Sequence, residues 1–101
     1  MNLKEIREKI DALDERITDL FCERMRLCAE VAECKANNGA QVSDAKREGE
    51  ILVRVVNRAG RTDEAMSEHV AALYSSIFKQ SRSYQVSLME RGKGEKAYAE
   101  K

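Results

Sequence analysis

Residues 3–35 read LKEIREKIDALDERITDLFCERMRLCAEVAECK, and this stretch decides the fold. Its apolar residues fall at Leu3, Ile6, Ile10, Leu13, Ile17 and Leu20, then at Leu27, Val31 and Cys34. Steps that alternate between three and four residues make the seam of an amphipathic helix in heptad register. One seam position carries a charge instead, Arg24. No proline interrupts the run, and the first glycine of the chain is Gly39. Asn37-Asn38-Gly39 should stop the helix there, because these residues tolerate the left-handed C-terminal conformation.

Beyond that stop, the pattern predicts two further helices. Ser43 or Asp44 caps the second, whose apolar face is Ile51, Leu52, Val55 and Val56, and Gly60 ends it. Thr62 caps the third, with Asp63 and Glu64 set against the positive end of the helix dipole. Its stripe runs through Met66, Val70, Leu73, Tyr74, Ile77 and Phe78 to Tyr84 and Leu88. After Glu90 the composition turns to Arg91-Gly92-Lys93-Gly94-Glu95-Lys96, expected as a charged, flexible tail. The expectation is an all-α chain of one long and two shorter helices, with residues 1–90 as one domain and 91–101 as the tail.

Composition excludes several classes. The 101 residues hold five glycines and no proline, too few turn formers for a β-rich domain. At 43% hydrophobic the chain is apolar enough to build a core. Eighteen lysines and arginines balance 18 aspartates and glutamates, so no global basic field invites nucleic acid. No apolar run reaches the ~18 residues of a membrane span, and Met1-Asn2-Leu3-Lys4-Glu5 has no signal-peptide character. A soluble, cytoplasmic protein is expected. Cys22, Cys28 and Cys34 are odd in number and lack a CxxC pair. They are expected as buried reduced thiols, neither disulfides nor zinc ligands. His69, the single histidine, reads as a helix-surface residue.

Helix length bears on assembly. About 36 residues at ~1.5 Å each give a first helix of ~50 Å, whereas a compact 100-residue domain has a radius of gyration of ~13 Å. Two shorter helices cannot cover a seam of that length. A second copy should cover the rest, and a two-fold homodimer is the default.

The polar residues on the apolar stripes point to function. Arg24 taken alone is a register-fixing residue or a snorkelling arginine. Lys35 lies 11 residues later, back within ~20° of the same face and ~16 Å along the axis. Asp44, Arg47 and Glu48 precede Ile51, Leu52 and Val55 on one stripe of the second helix, and Ser81 and Gln85 extend the line of the third. Singly, these are a cap, local ion pairs and surface residues. Jointly they would be costly to bury unpaired, and a small, oxygen-rich dianion bearing an alcohol would satisfy them.

At these residues the chain resembles the all-helical chorismate mutases. The likeness rests on Ile6-Arg7-Glu8-Lys9-Ile10-Asp11-Ala12-Leu13-Asp14 and Glu23-Arg24 … Lys35. It continues through Val42-Ser43-Asp44 … Arg47-Glu48 to Ser81 … Gln85, covering roughly residues 3–88. The resemblance implies an intertwined homodimer of three-helix chains whose two active sites are each built from both protomers. It implies rearrangement of chorismate to prephenate with no metal or cofactor. It further implies that Arg24 and the partner protomer's copy of Arg7 hold the substrate carboxylates, with Ser81 assisting. Lys35 and Gln85 would donate to the ether oxygen, Glu48 would accept from the ring hydroxyl beside the Asp44 backbone, and Arg47 would complete the polar wall.

Spacing adds one constraint of its own. Arg7 lies 17 residues from Arg24 and 28 from Lys35, or ~25 and ~42 Å along a straight helix. Side chains cannot close those gaps, so an Arg7 in the site must come from another chain. Three alternatives stay open: an isochorismate–pyruvate lyase of the same fold, a non-enzymatic helical dimerisation module, or the mutase portion of a bifunctional protein.

Overall fold

The computed structural model describes residues 1–37 and 44–99. Their backbone forms three α-helices, α1 (Leu3–Asn37), α2 (Ala45–Thr62) and α3 (Met66–Ala99), with no strand among the described residues. The Ser43 cap and the Asn38-Gly39 stop lie outside those residues.

The first helix forms as the heptad seam predicts, without a break over 35 residues. Asn2 Oδ1 accepts from the Glu5 backbone N–H at 2.9 Å and so caps its first turn. Asp44 caps α2 in the same way, its Oδ1 accepting from the Arg47 N–H at 2.9 Å.

Three boundaries differ from the sequence expectation. Gly60 does not end α2, which runs on to Thr62. A Cβ at Gly60 would lie 2.9 Å from Ser67 Oγ, and that hydroxyl donates to the Val56 carbonyl at 3.3 Å. The glycine therefore admits the first turn of α3 against the last turns of α2. Thr62 is not the cap of α3. Asp63 turns the chain instead, with Oδ1 accepting from the Ala65 N–H at 3.0 Å and its carbonyl accepting from the Met66 N–H at 2.9 Å. Finally, the third helix is not short. It holds 34 residues, nearly the length of α1, and continues past Glu90 to Ala99. Lysine, glutamate and alanine are good helix formers, and two isolated glycines weaken a helix without stopping it.

Packing is confined to one part of the molecule. α3 lies against both α1 and α2 and is the element that joins them. Among the described residues, the buried ones are Ala32 of α1, Ile51 of α2, and Phe78, Ser81 and Gln85 of α3. The molecule extends 64 × 31 × 16 Å with a radius of gyration of 17.9 Å, well above the ~13 Å of a compact domain this size. The excess is the N-terminal half of α1. There Leu3, Ile6, Ile10, Leu13, Ile17 and Leu20 each keep 42–61% of their surface exposed.

The cysteines, expected to be buried, are not: Cys22 and Cys34 are exposed and Cys28 is half-buried. Six helical steps turn the chain by ~600°, so the three thiols cannot share the face that meets α3. His69 is exposed on α3, as read. No described helix is long and apolar enough to cross a membrane.

Gly49 lies exposed within α2, and a Cβ there would meet nothing within 4 Å. Gly49→Ala should therefore raise stability by about 0.5–1 kcal/mol through helix propensity alone. A urea midpoint at or below that of the unmodified protein would show that position 49 is not the open site described.

Candidate functional site

Where α1, α2 and α3 meet, they enclose a cleft of about 440 Å³. Seven of the eight residues singled out from the sequence line it: Arg24 and Lys35 from α1, Asp44, Arg47 and Glu48 from the start of α2, and Ser81 and Gln85 from α3. The eighth, Arg7, is exposed on the far half of α1 and does not reach it. Apolar surface from Leu27, Val31, Ile51 and Phe78 completes the wall.

Most of these polar side chains have a definable partner. Arg24 points from the α1 seam toward α3, where its Nη1 donates to Ser81 Oγ at 3.0 Å. The guanidinium carbon lies 5.8 Å from the centroid of the Phe78 ring, within range of a cation–π attraction. Phe78 is steadied in turn by Tyr74, edge-to-face at 5.9 Å. Ser81 is buried and donates its own proton to the Ile77 carbonyl at 2.8 Å. Its hydroxyl oxygen is thereby left as an acceptor for Arg24.

Gln85, also buried, donates from Nε2 to the Cys28 carbonyl at 2.8 Å. An i+4 backbone bond normally satisfies a helix carbonyl, but its second lone pair can take another donor. This bond orients the amide and leaves one further N–H on the same nitrogen.

Asp44 serves two elements at once. While Oδ1 caps α2, Oδ2 lies 3.7 Å from Lys35 Nζ. The last turn of α1 is thus tied to the first turn of α2. Glu48, one turn further on, accepts from Arg82 of α3 through Oε1.

Arg82 is a cleft-lining residue that the sequence reading did not single out, although its spacing gave a signal. Positions 78, 82 and 85 are four and three apart, the steps of one helix face, and Phe78 and Gln85 were already on that face. The Cys28 carbonyl was not legible, because no side-chain pattern reports which backbone acceptor a glutamine will find.

Chemically, the cleft offers several cationic donors and a neutral amide together with two carboxylate acceptors, set against apolar side chains. Among the described residues no cluster of histidine, cysteine, aspartate and glutamate is placed to hold a metal ion. Such a set can grip an anion carrying more than one carboxylate and orient a hydroxyl.

Comparison with known proteins agrees with this chemistry. Residues 6–86 match the family described as chorismate mutase type II. The bifunctional chorismate mutase/prephenate dehydratase of Escherichia coli K12 is 32% identical over 86 residues, covering 85% of this chain and 22% of the relative. That of Stutzerimonas stutzeri is 35% identical over 81 residues, 73% of this chain and 22% of the relative. The chorismate mutase of Methanocaldococcus jannaschii is 43% identical over 53 residues, 52% of this chain and 54% of the relative. The chain thus spans about a fifth of the bifunctional relatives. No solved structure gives a significant match. With the family match running through all three helices and every cleft-lining candidate, this chain belongs to the type II chorismate mutase family.

Proposed function

We propose that the protein is an isomerase that converts chorismate to prephenate by a [3,3] Claisen rearrangement, the branch step toward phenylalanine and tyrosine. The observation that carries this reading is the convergence of Arg24, Lys35, Arg47, Glu48 and Gln85 on one cleft in a chain of this family.

The reaction is unimolecular. A C–O bond breaks as a C–C bond forms, and no covalent enzyme intermediate is required. The protein has two tasks: to select the compact diaxial conformer, and to stabilise the negative charge that grows on the ether oxygen. Arg24, pre-oriented by Ser81 and Phe78, grips one carboxylate with the geometry to which guanidinium is suited. Holding the reacting carbons close removes much of the entropic barrier. Lys35 has three donors, so it can keep Asp44 and still donate to the ether oxygen. The second N–H of Gln85 supplies the other donor. These donors exist before the substrate arrives, and little reorganisation opposes the charge as it develops. Glu48 accepts from the ring hydroxyl beside the Asp44 backbone, and Arg47 closes the polar wall.

The second carboxylate needs another cation, and we assign it to Arg7 of a second copy. The exposed seam from Leu3 to Leu20 supports an antiparallel partner crossing near Thr18, which would bring Arg7 opposite the stretch between Arg24 and Lys35. The functional unit is then a cytoplasmic homodimer with two shared sites, neither nucleic acid nor membrane being a partner. Residues 1–90 form the catalytic domain, and residues 91–101 an appended charged segment.

Purified protein should consume chorismate, followed by loss of its absorbance, and yield prephenate; release of pyruvate from isochorismate without chorismate turnover would assign the lyase reaction instead. Lys35→Ala should lower kcat/KM by at least ~10²-fold, the usual loss for one preorganised donor, and near-normal activity would remove Lys35 from its role. Mixing an Arg7→Ala chain with a Lys35→Ala chain should restore part of the activity, since one site of the mixed dimer keeps both groups. Heterodimers that form without any recovery would place both residues in one protomer's site.

A further inference from the structure

The cleft holds one charged group to which the proposed chemistry gives no task. Arg82 donates from Nη1 to Glu48 Oε1 across the interface of α2 and α3. Both side chains line the cleft, and they stay partly in water, 42% and 25% exposed. A pair that wet contributes little to stability, so the fold alone does not account for it.

The surroundings of Glu48 do. Arg24, Lys35 and Arg47 line the same cleft, and Arg47 is the preceding residue of the helix. A carboxylate left among these cations would pair with one of them and compete with the carboxylates of an incoming dianion. Lys35 already lies near Asp44. With Arg82 beside Glu48, each of the two lining carboxylates has a cation at its side. Among the described lining residues of one chain, four cations face two carboxylates, an excess of positive charge suited to an anion.

We propose that Arg82 is a positioning residue: it holds the Glu48 carboxylate against α3, away from the cations that grip the substrate, and leaves its second oxygen to accept from the substrate hydroxyl. The assignment rests on the proposed chorismate mutase reaction and adds to it a residue that sets the affinity of the site for a hydroxyl-bearing dianion.

The test is a double-mutant cycle between Arg82→Leu and Glu48→Gln, with Arg82→Lys as the conservative variant. Arg82→Leu should lower kcat/KM by ~10²-fold, the scale of a misplaced positioning group. The loss should fall mainly on KM, because the released carboxylate occupies substrate-binding cations. Arg82→Lys should recover most of it, since an ammonium can still pair with Glu48. In the Glu48→Gln background, Arg82→Leu should add little, because no carboxylate remains to be held. An equal loss in both backgrounds would overturn the proposal, since Arg82 would then act on the substrate directly or on the fold. So would unchanged kinetics of Arg82→Leu. A crystal structure of Arg82→Leu decides independently of activity: Glu48 turned onto Arg47 or Lys35 supports the proposal, and Glu48 in its original position overturns it. Lack of any turnover by the unmodified protein would defeat the proposed reaction and leave this structural result to stand or fall alone.

Discussion

The helices of this chain meet around polar side chains, and the rest of the structure follows from that constraint. Two of the residues buried between them, Ser81 and Gln85, are hydrogen-bonding groups, and the Arg24 guanidinium stands beside them. Removing such groups from water is costly unless each finds a partner. Each does: Arg24 has Ser81 and the Phe78 ring, Ser81 has the Ile77 carbonyl, and Gln85 has the Cys28 carbonyl. Among the described residues no buried side-chain polar atom lacks a hydrogen bond. The contacts that join α1 to α3 are therefore also the contacts that shape the cleft. Fold and site share the same few residues.

A junction built this way supplies little hydrophobic stabilisation. Among the described residues no side chain is fully buried, and the apolar surface that would compensate lies elsewhere, along Leu3, Ile6, Ile10, Leu13, Ile17 and Leu20. Covering each of these half-exposed side chains would contribute on the order of 1 kcal/mol. In the proposed dimer that gain arises far from the cleft, which lets the cleft keep its polar character. An interface that needed the cleft itself for hydrophobic contact would have left no room for charged ligand-binding groups.

Much of this was legible in the sequence, for identifiable reasons. Heptad steps and the absence of proline report helix directly, so α1 was read to within a residue or two. Polar residues on apolar stripes report a shared environment, and seven of them do line one cleft. What failed was the reading of isolated residues as punctuation. Gly60 was taken as a helix stop, but it is the point where α3 comes close; a glycine at a tight crossing and a glycine at a C-terminus look alike in sequence. Thr62 and Asp63 are both good caps, and only the turn at Asp63 decided between them. The length of α3 was missed because a charged, glycine-containing segment was read as a tail, although most of its residues favour helix. Arg82 is adjacent to Ser81 and lies four residues after Phe78 and three before Gln85, so the same helix face admits it although it interrupts no apolar stripe.

The continuity of α1 has the widest consequence. A kink or break between Arg7 and Arg24 would let the N-terminal half fold back onto the cleft and bring Arg7 to the site of its own chain. The helix is unbroken from Leu3 to Asn37, so ~25 Å of rigid backbone separates the two arginines. An arginine side chain reaches only a fraction of that. The seam and the separation then lead to the same arrangement from independent premises. The apolar residues need a second surface to be covered, and Arg7, if it serves the site, needs a second chain to reach. One antiparallel copy would meet both requirements at once. In that arrangement a separated protomer would lose a substrate-binding cation together with its largest apolar contact, so assembly and catalysis would depend on the same straight helix.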